Sequence, residues 1–480
     1  MTDDARYQSP LGSRYASAAM QRLWSERHKI GLWRRIWLAL AETERELGLD
    51  IPAAALEEIT AHLDDCDLAV AATYEHRFRH DVMAHVHALG DQAPAARPYL
   101  HLGATSAFVT DNADMIVIRE SLQLLLGRLV ALARALGQFA DRYAALPCLA
   151  YTHFQPAQLT TVGKRATLWA QDFALDLEEL THRLGTLRTR GCKGTTGTQA
   201  SFLELFGGDH HKVRELDRQV TRRLGFSASL PVTGQTYSRK LDSMALDVLS
   251  GIAQSASKMA SDLRLLQHEG ELLEPFEAEQ IGSSAMAYKR NPMRAERINA
   301  LARFVISLTG NTAHTAATQW LERTLDDSAN RRLTLPEAFL ATDAILVLAT
   351  NIVSGIEVRE PVIGRHVADQ MPFMATERWM MLGVQAGGDR QALHEVIRQA
   401  SHLVSKQVSE GGPNDLLERL SGAPEFASLG ADRLRAELDP ARYVGRAPEQ
   451  THEFLNEYLT PLLATASALA AEAPAAEVTV

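Results

Sequence analysis

Ser283, Ser284, Lys289 and Asn291 fall in one short stretch, Gly282 to Arg297, which reads G-S-S-A-M-A-Y-K-R-N-P-M-R-A-E-R. Its first half is small and polar and opens on glycine, the composition of a loop. At Pro292 an amphipathic pattern begins, so a helix is expected to start there. Hydroxyls, an ammonium and an amide on a loop anchored by a helix suit a lid that closes over a ligand and excludes water. The same composition also suits an ordinary surface loop with a solvated basic run. His153, in T-H-F-Q-P, is of a type that titrates near neutrality and can pass a proton. Arg14, Arg323 and Arg332 carry the forked donors that grip phosphate, although a lone arginine is more often a solvated charge.

The string G-S-S-x-M-x-x-K-x-N-P resembles the signature of the fumarase/aspartase superfamily, whose members eliminate fumarate from succinyl compounds. The fuller string S-S-A-M-x-Y-K-R-N-P-M-R-x-E-R is similar to the adenylosuccinate lyase branch of that superfamily. Other blocks agree in order along the chain: Ser9 to Ser17, Arg79 to His87, His101 to Ser106, Thr152 to Arg165, Lys193 to Phe202, Trp320 to Arg332 and Pro372 to Glu377. The resemblance covers nearly the whole chain and is closest to the longer branch that includes the animal enzymes.

What the resemblance implies can be carried over residue by residue. Elimination of fumarate needs a base for the carbon beside a carboxylate, an acid for the departing nitrogen and groups that stabilise the carbanion. Ser283 matches the base and Lys289 the group that favours its alkoxide. His153 matches the acid and Glu296 the carboxylate that orients it. Thr105, Ser106, Thr152, Lys289 and Asn291 match the succinyl-carboxylate contacts. Arg14, Tyr15, Arg323, Ser328 and Arg332 match the phosphate contacts, with Arg297 nearby in role. Arg79, His80, Asp81 and Gln235 match positions around the base and ribose. The implied reaction releases fumarate from adenylosuccinate and from the succinyl-aminoimidazole-carboxamide ribotide, in purine nucleotide biosynthesis. A paralogue acting on a modified purine succinyl adduct, and a non-catalytic protein that keeps the fold, stay open as alternatives. In one place the chain departs from the pattern: Ala287 stands where the family usually has proline, which would leave the open loop less stiff.

Other signals point away from cofactors. His80, His85 and His87 lack the H-E-x-x-H spacing that places two ligands on one helical face. V-G-K-R at 162–165 lacks the upstream glycine and the following Ser/Thr of a phosphate-binding loop. G-T-T-G-T-Q at 194–199 lacks the spacing of a dinucleotide fingerprint. Neither metal, ATP nor NAD is required.

The elements that must position these residues are helices. Apolar residues recur at three- and four-residue steps from Asn112 to Leu146, from Leu159 to about Leu187 and from Lys240 to Glu269. A fourth pattern runs from Pro292 to the region of Trp320. A fifth is expected to start at Thr334, where Thr334 and Glu337 form a T-x-x-E capping box. Such long helices need apolar partners on several sides, as in a bundle. The only short strand material is around Ser227 to Thr233. The expected class is all-α. The resemblance implies three helical domains, at 1–105, 106–358 and 359–480, and a homotetramer on the central bundle whose sites are shared between subunits.

Composition is consistent with this. The chain has 480 residues, 46% hydrophobic and 22% charged, enough for two or three domains with substantial cores. A net charge of −10 argues against a general nucleic-acid or anionic-membrane surface. It leaves room for an anionic small substrate held by local arginines. Three scattered cysteines, Cys66, Cys148 and Cys192, fit a reducing cytoplasm. The acidic, polar start M-T-D-D-A-R-Y reads as no signal peptide. The most apolar stretch, Ala344 to Val353, reads as too short and too polar to span a bilayer. The Ala-rich end, Ala464 to Val480, reads as a helix that then frays.

Overall fold

The computed structural model describes residues 7–471 and 478. The chain's first six residues, and 472–477 and 479–480 of its Ala-rich end, lie outside the described residues. An N-terminal group of helices comprises α1 (Ala18–Leu23), α2 (Glu26–Glu46), α3 (Ala53–Ala61), α4 (Leu68–Phe78) and α5 (Asp81–Gln92). Five long helices follow: α6 (Ser106–Arg142), α7 (Val162–Thr186), α10 (Lys240–His268), α11 (Met293–Thr318) and α12 (Asp326–Gly355). Between α7 and α10 come the shorter α8 (Ala200–Leu205) and α9 (His210–Arg223). After α12 come α13 (Glu360–Met374), α14 (Thr376–Gln385), α15 (Arg390–Ser409) and smaller turns, ending in a helix at Thr460–Ser467.

The long helices pack into one bundle, α6 along α7, α10 along α11, and α12 against both α11 and α6. The cause is visible in α6, where Leu122, Leu125, Leu126, Leu129, Leu132, Ala133 and Leu136 are all buried. In α12 every residue from Ala341 to Ala349 is buried, the behaviour of a helix apolar on all sides at the centre of a bundle. That helix has 30 residues, a mean hydropathy of 1.6 over its apolar window and 78% of that window buried. Length alone therefore does not disqualify it as a membrane span, contrary to the sequence reading. Its burial in the chain, with Asp327 and Asp343 inside, makes it a core helix. A second core, built on Trp379, Leu393, Val404, Leu416, Leu420 and Phe426, lies in the C-terminal part.

Two further sequence expectations need correction. The helix α12 starts at Asp326, so Thr334 is interior; its hydroxyl donates to Asn311 Oδ1 at 3.0 Å. Asp326 and Asp327 supply the negative first turn that a helix start favours. The segment Ser227 to Thr233 contains no strand, only one bridge between Ser229 and Thr189. The strands lie elsewhere. β1 (Pro147–Thr152) and β2 (Gln155–Thr161) form an antiparallel hairpin, and β3 (Leu272–Leu273) pairs with β4 (Glu357–Val358). The hairpin was hidden because four of the seven residues from Thr152 to Gln158 are polar and one is proline, with no apolar alternation, and all seven are exposed.

Candidate functional site

The candidate site residues fall into three groups in one chain. The first lines a cavity of about 690 Å³ between the N-terminal helices and the ends of α6 and α12. Arg79, His80, Asp81, Ser106, Gln235, Arg323, Ser328 and Arg332 all face it. Arg79 ends α4 in the left-handed conformation, φ 55°. His80 then caps α5, its Nδ1 accepting from Met83 N–H at 3.3 Å, and its Nε2 lies 3.2 Å from Ser106 Oγ. Asp81 takes Arg332 Nη2 at 2.9 Å, a contact that joins α5 to α12 and helps hold the Asp81 carboxyl below the usual range against the opposing effect of burial. Gln235 is fixed twice, its backbone N–H on Glu322 O at 2.8 Å and its side chain on Thr195 O at 2.9 Å. Thr105 is the N-cap residue of α6, yet its side chain makes no cap bond, so its hydroxyl is not committed to the helix.

Beneath this cavity is a buried charge network. Arg239 donates to Asp327 at 2.6 Å and to both oxygens of Asp111 at 3.2 and 3.3 Å. Arg331 reaches Asp242 at 2.7 Å and Asp114 at 2.9 Å. Each buried cation has an anionic partner, which is the condition for keeping charge out of water.

The second group is the loop before α11. Asn291 Nδ2 donates to Gly282 O at 2.7 Å. Ser283 Oγ accepts the backbone N–H groups of Ala285 at 3.3 Å and Met286 at 3.1 Å. This is a serine turn, as a bland reading of the loop would have it, but two N–H dipoles aimed at one oxygen also favour its anionic form. Lys289 is exposed on the same loop. The helix behind it is anchored by Glu274, whose two oxygens accept from Arg294 N–H at 3.0 Å and Ala295 N–H at 3.1 Å. Burial still pushes that carboxyl up. Arg297, one turn into α11, lies over the ring of Tyr15 at 5.5 Å, which brings the Arg14–Tyr15 segment to this group rather than to the cavity. Glu296 is exposed, with Arg264 at 4.0 Å.

The third group is the hairpin tip. Thr152 pairs with Gln155, leaving His153 and Phe154 as a two-residue turn with φ of 52° and 57°. Two non-glycine residues in the left-handed region are costly, of order 1 kcal/mol each, and such strain concentrates at functional sites. His153 is exposed at this tip. Among the described residues no hydrogen bond joins His153 to Glu296 or Ser283. Neither the tip nor the loop reaches the cavity of the first group.

The three histidines near α5 do separate work. His80 caps the helix, His85 packs edge-on against Trp33 at 5.5 Å, and His87 stacks with Tyr74 at 5.3 Å. Burial pushes His85 down to about 4. Among the described residues no three His, Cys, Asp or Glu side chains are grouped to hold a metal ion.

Comparison with known proteins decides the family. Residues 15–307 match a family model described as lyase, and residues 372–454 one described as adenylosuccinate lyase C-terminus. The chain is 50% identical over 468 residues to adenylosuccinate lyase of Schizosaccharomyces pombe, covering 97% of each chain. It is 50% identical over 461 residues to that of Saccharomyces cerevisiae, covering 95% of each. The chain belongs to the adenylosuccinate lyase family. A relative from Schistosoma mansoni is 44% identical over 96% of this chain and 97% of its own. A solved 3-carboxy-cis,cis-muconate lactonizing enzyme from Pseudomonas putida shares the fold, with a TM-score of 0.79 at 23% identity, covering 96% of this chain and 100% of that one.

For a chain of the adenylosuccinate lyase family, sequence reasoning passed over several residues that shape the site. Glu274, which caps α11, lies 19 residues before its start at Met293, so no local capping pattern shows it. Glu271 is 1% exposed and holds His366 at 2.9 Å, while Arg165 anchors the base of the hairpin on Leu149 O. Asp111, Arg239 and Asp327 look like ordinary helix charges in sequence. Only tertiary packing brings them together, with Asp111 and Arg239 lining the cavity and Asp327 held on Arg239.

Proposed function

We propose that the chain is an adenylosuccinate lyase that releases fumarate from adenylosuccinate to leave AMP, and from the succinyl-aminoimidazole-carboxamide ribotide to leave its carboxamide. The observation that carries this reading is the Ser283 geometry: an oxygen receiving two backbone N–H groups, on the loop that also bears Lys289 and Asn291. In this reading the Ser283 alkoxide takes a proton from the succinyl carbon beside a carboxylate. The resulting carbanion expels the purine nitrogen, the C–N electron pair goes to that nitrogen, and His153 supplies its proton. Ser283 ends as a hydroxyl and His153 neutral, so the step closes without a redox partner or group carrier.

The separation of the three groups in one chain supports a homotetramer in which different subunits complete each site. The long helices also present Leu168, Leu175, Leu265, Phe304 and Ile306 to solvent. Apolar side chains on a bundle face are what a second subunit would cover. The three cysteines are buried and unpaired, which supports placement in a reducing compartment such as the cytoplasm. The domain limits proposed are 1–105, 106–358 and 359–480.

The test is incubation of the purified protein with adenylosuccinate, following AMP and fumarate by chromatography. Release of both in equal amounts is expected. A tetramer that binds the nucleotide and releases no fumarate would defeat the reading, and turnover confined to a modified purine adduct would replace the substrate.

A further inference from the structure

The two arginines that line the cavity as phosphate ligands are held differently. Arg332 is 59% exposed and paired with Asp81 at the rim. Arg323 is 27% exposed and leans on Asp327, which is 3% exposed. Asp327 has two partners: Oδ2 accepts Arg239 Nε at 2.6 Å and Oδ1 accepts Arg323 Nη1 at 3.3 Å. Arg239, 2% exposed, is itself clamped by Asp111.

The backbone that carries Arg323 is fixed by other groups. Glu322 O takes the N–H of Gln235 at 2.8 Å. Gln319 takes the N–H of Arg239 at 2.8 Å and donates to Thr236 Oγ1 and Tyr237 O, both at 3.0 Å. What Asp327 adds is the direction of the guanidinium. Without it an arginine stem facing an open cavity samples many rotamers, and ordering it falls on ligand binding. An aspartate beside a phosphate ligand could also work the other way, by competing for the arginine. Here the carboxylate's closer partner is Arg239, at 2.6 Å against 3.3 Å for Arg323. Arg323 is the longer, weaker contact, and it spends one donor of five. Orientation therefore outweighs competition.

We propose that Asp327 is a positioning residue that sets Arg323 for the phosphate of the nucleotide, with Arg239 and Asp111 as its support. The proposal rests on the reading of Arg323 as a phosphate ligand. It goes beyond that reading by naming a buried residue that governs how the enzyme discriminates phosphorylated ligands.

The test uses the two products as probes, because only AMP carries phosphate. In Asp327→Asn, KM for adenylosuccinate and the inhibition constant of AMP are expected to rise about tenfold, as for a weakened hydrogen bond to a charged group. The inhibition constant of fumarate should stay within about twofold, since uniform binding through the phosphate is what is lost. Inhibition constants do not depend on the fraction of active enzyme, so partial misfolding leaves the comparison intact. If Asp327→Asn does not fold, Asp327→Glu, which keeps the charge and moves it outward, is read by the same two constants, with a smaller loss on AMP. A rise shared equally by AMP and fumarate, or no rise at all, overturns the proposal. Arg323→Ala serves as the control. If it leaves the AMP constant unchanged, the phosphate reading of Arg323 itself fails. If it raises that constant while the Asp327 variants do not, only the positioning role fails.

Discussion

Asn291 and Gly282 close the loop that carries Ser283 and Lys289, the Asn291 amide donating to the Gly282 carbonyl at 2.7 Å. The fit at this point is close. A Cβ on Gly282 would lie 2.1 Å from the carbonyl oxygen of Lys289, far inside contact distance. Glycine is needed here for space, since its φ is not in the left-handed region.

Gly282→Ala must therefore displace either Ser283 or Lys289. A shift of about 1 Å in a reacting group can cost about 10²-fold in rate. Turnover is expected to fall by that order, while the thermal midpoint changes little because residues 284–289 are exposed. Turnover near that of the native protein would mean that the loop rearranges before it acts.

Removing the proposed base is expected to be more severe and more specific. Ser283→Ala deletes the oxygen that receives the two N–H groups and leaves no neighbour to replace it. Loss of at least the roughly 10²–10⁴-fold typical of acid–base catalysis is expected, with AMP binding retained. Ser284→Ala, which changes an exposed hydroxyl, should be milder. Equal effects from the two would move the base assignment off Ser283.

The helical bundle was legible because burial and periodicity coincide in the long helices, and α10 and α11 begin within a residue or two of the expected positions. The candidate site residues could be picked out as motifs, since a short string such as S-S-A-M-A-Y-K-R-N-P needs no tertiary information. What could not be read was placement. Thr334 looked like a cap because Thr and Glu stood three apart, but Asp326 and Asp327 already provide a negatively charged first turn eight residues earlier. The hairpin around His153 lacks the alternation that marks a half-buried strand, because the residues at its tip are exposed on every side. Glu274 and Asp327 act across long sequence separations, which no local pattern records.

His153 and Ser283 stand on separate elements, a hairpin tip and a loop before α11, and this bears on assembly. If each site draws these residues from different subunits, inactive His153→Ala and Ser283→Ala proteins should regain partial activity when dissociated and reassembled together. Some mixed sites would then hold both intact residues. Activity of the mixture is compared with each variant alone, with light scattering confirming tetramers. Verified mixed tetramers as inactive as their parents would place both residues in a site from one chain.

Glu44 yields a prediction about pH. It is fully buried on α2 and neither carboxylate oxygen has a hydrogen-bond partner. Burial alone pushes its carboxyl up from 4.5 to about 9. A carboxyl raised in the folded state stays protonated there while the unfolded chain releases its proton. Between about pH 4.5 and 9 the folded chain therefore binds more protons, and stability falls as pH rises, by up to about 1.4 kcal/mol per pH unit. Below that window both states are protonated, and above it both are ionised, so the dependence levels off. Glu44→Gln keeps the shape and removes the titration. Its thermal midpoint relative to the native protein should rise steadily from pH 5.5 to pH 8.5, with the variant the more stable at the alkaline end. The comparison is a difference between two proteins at each pH, so titrations they share cancel. A difference that stays constant across this range would show that Glu44 finds a partner or solvent when ionised, and that the folded chain does not hold it neutral.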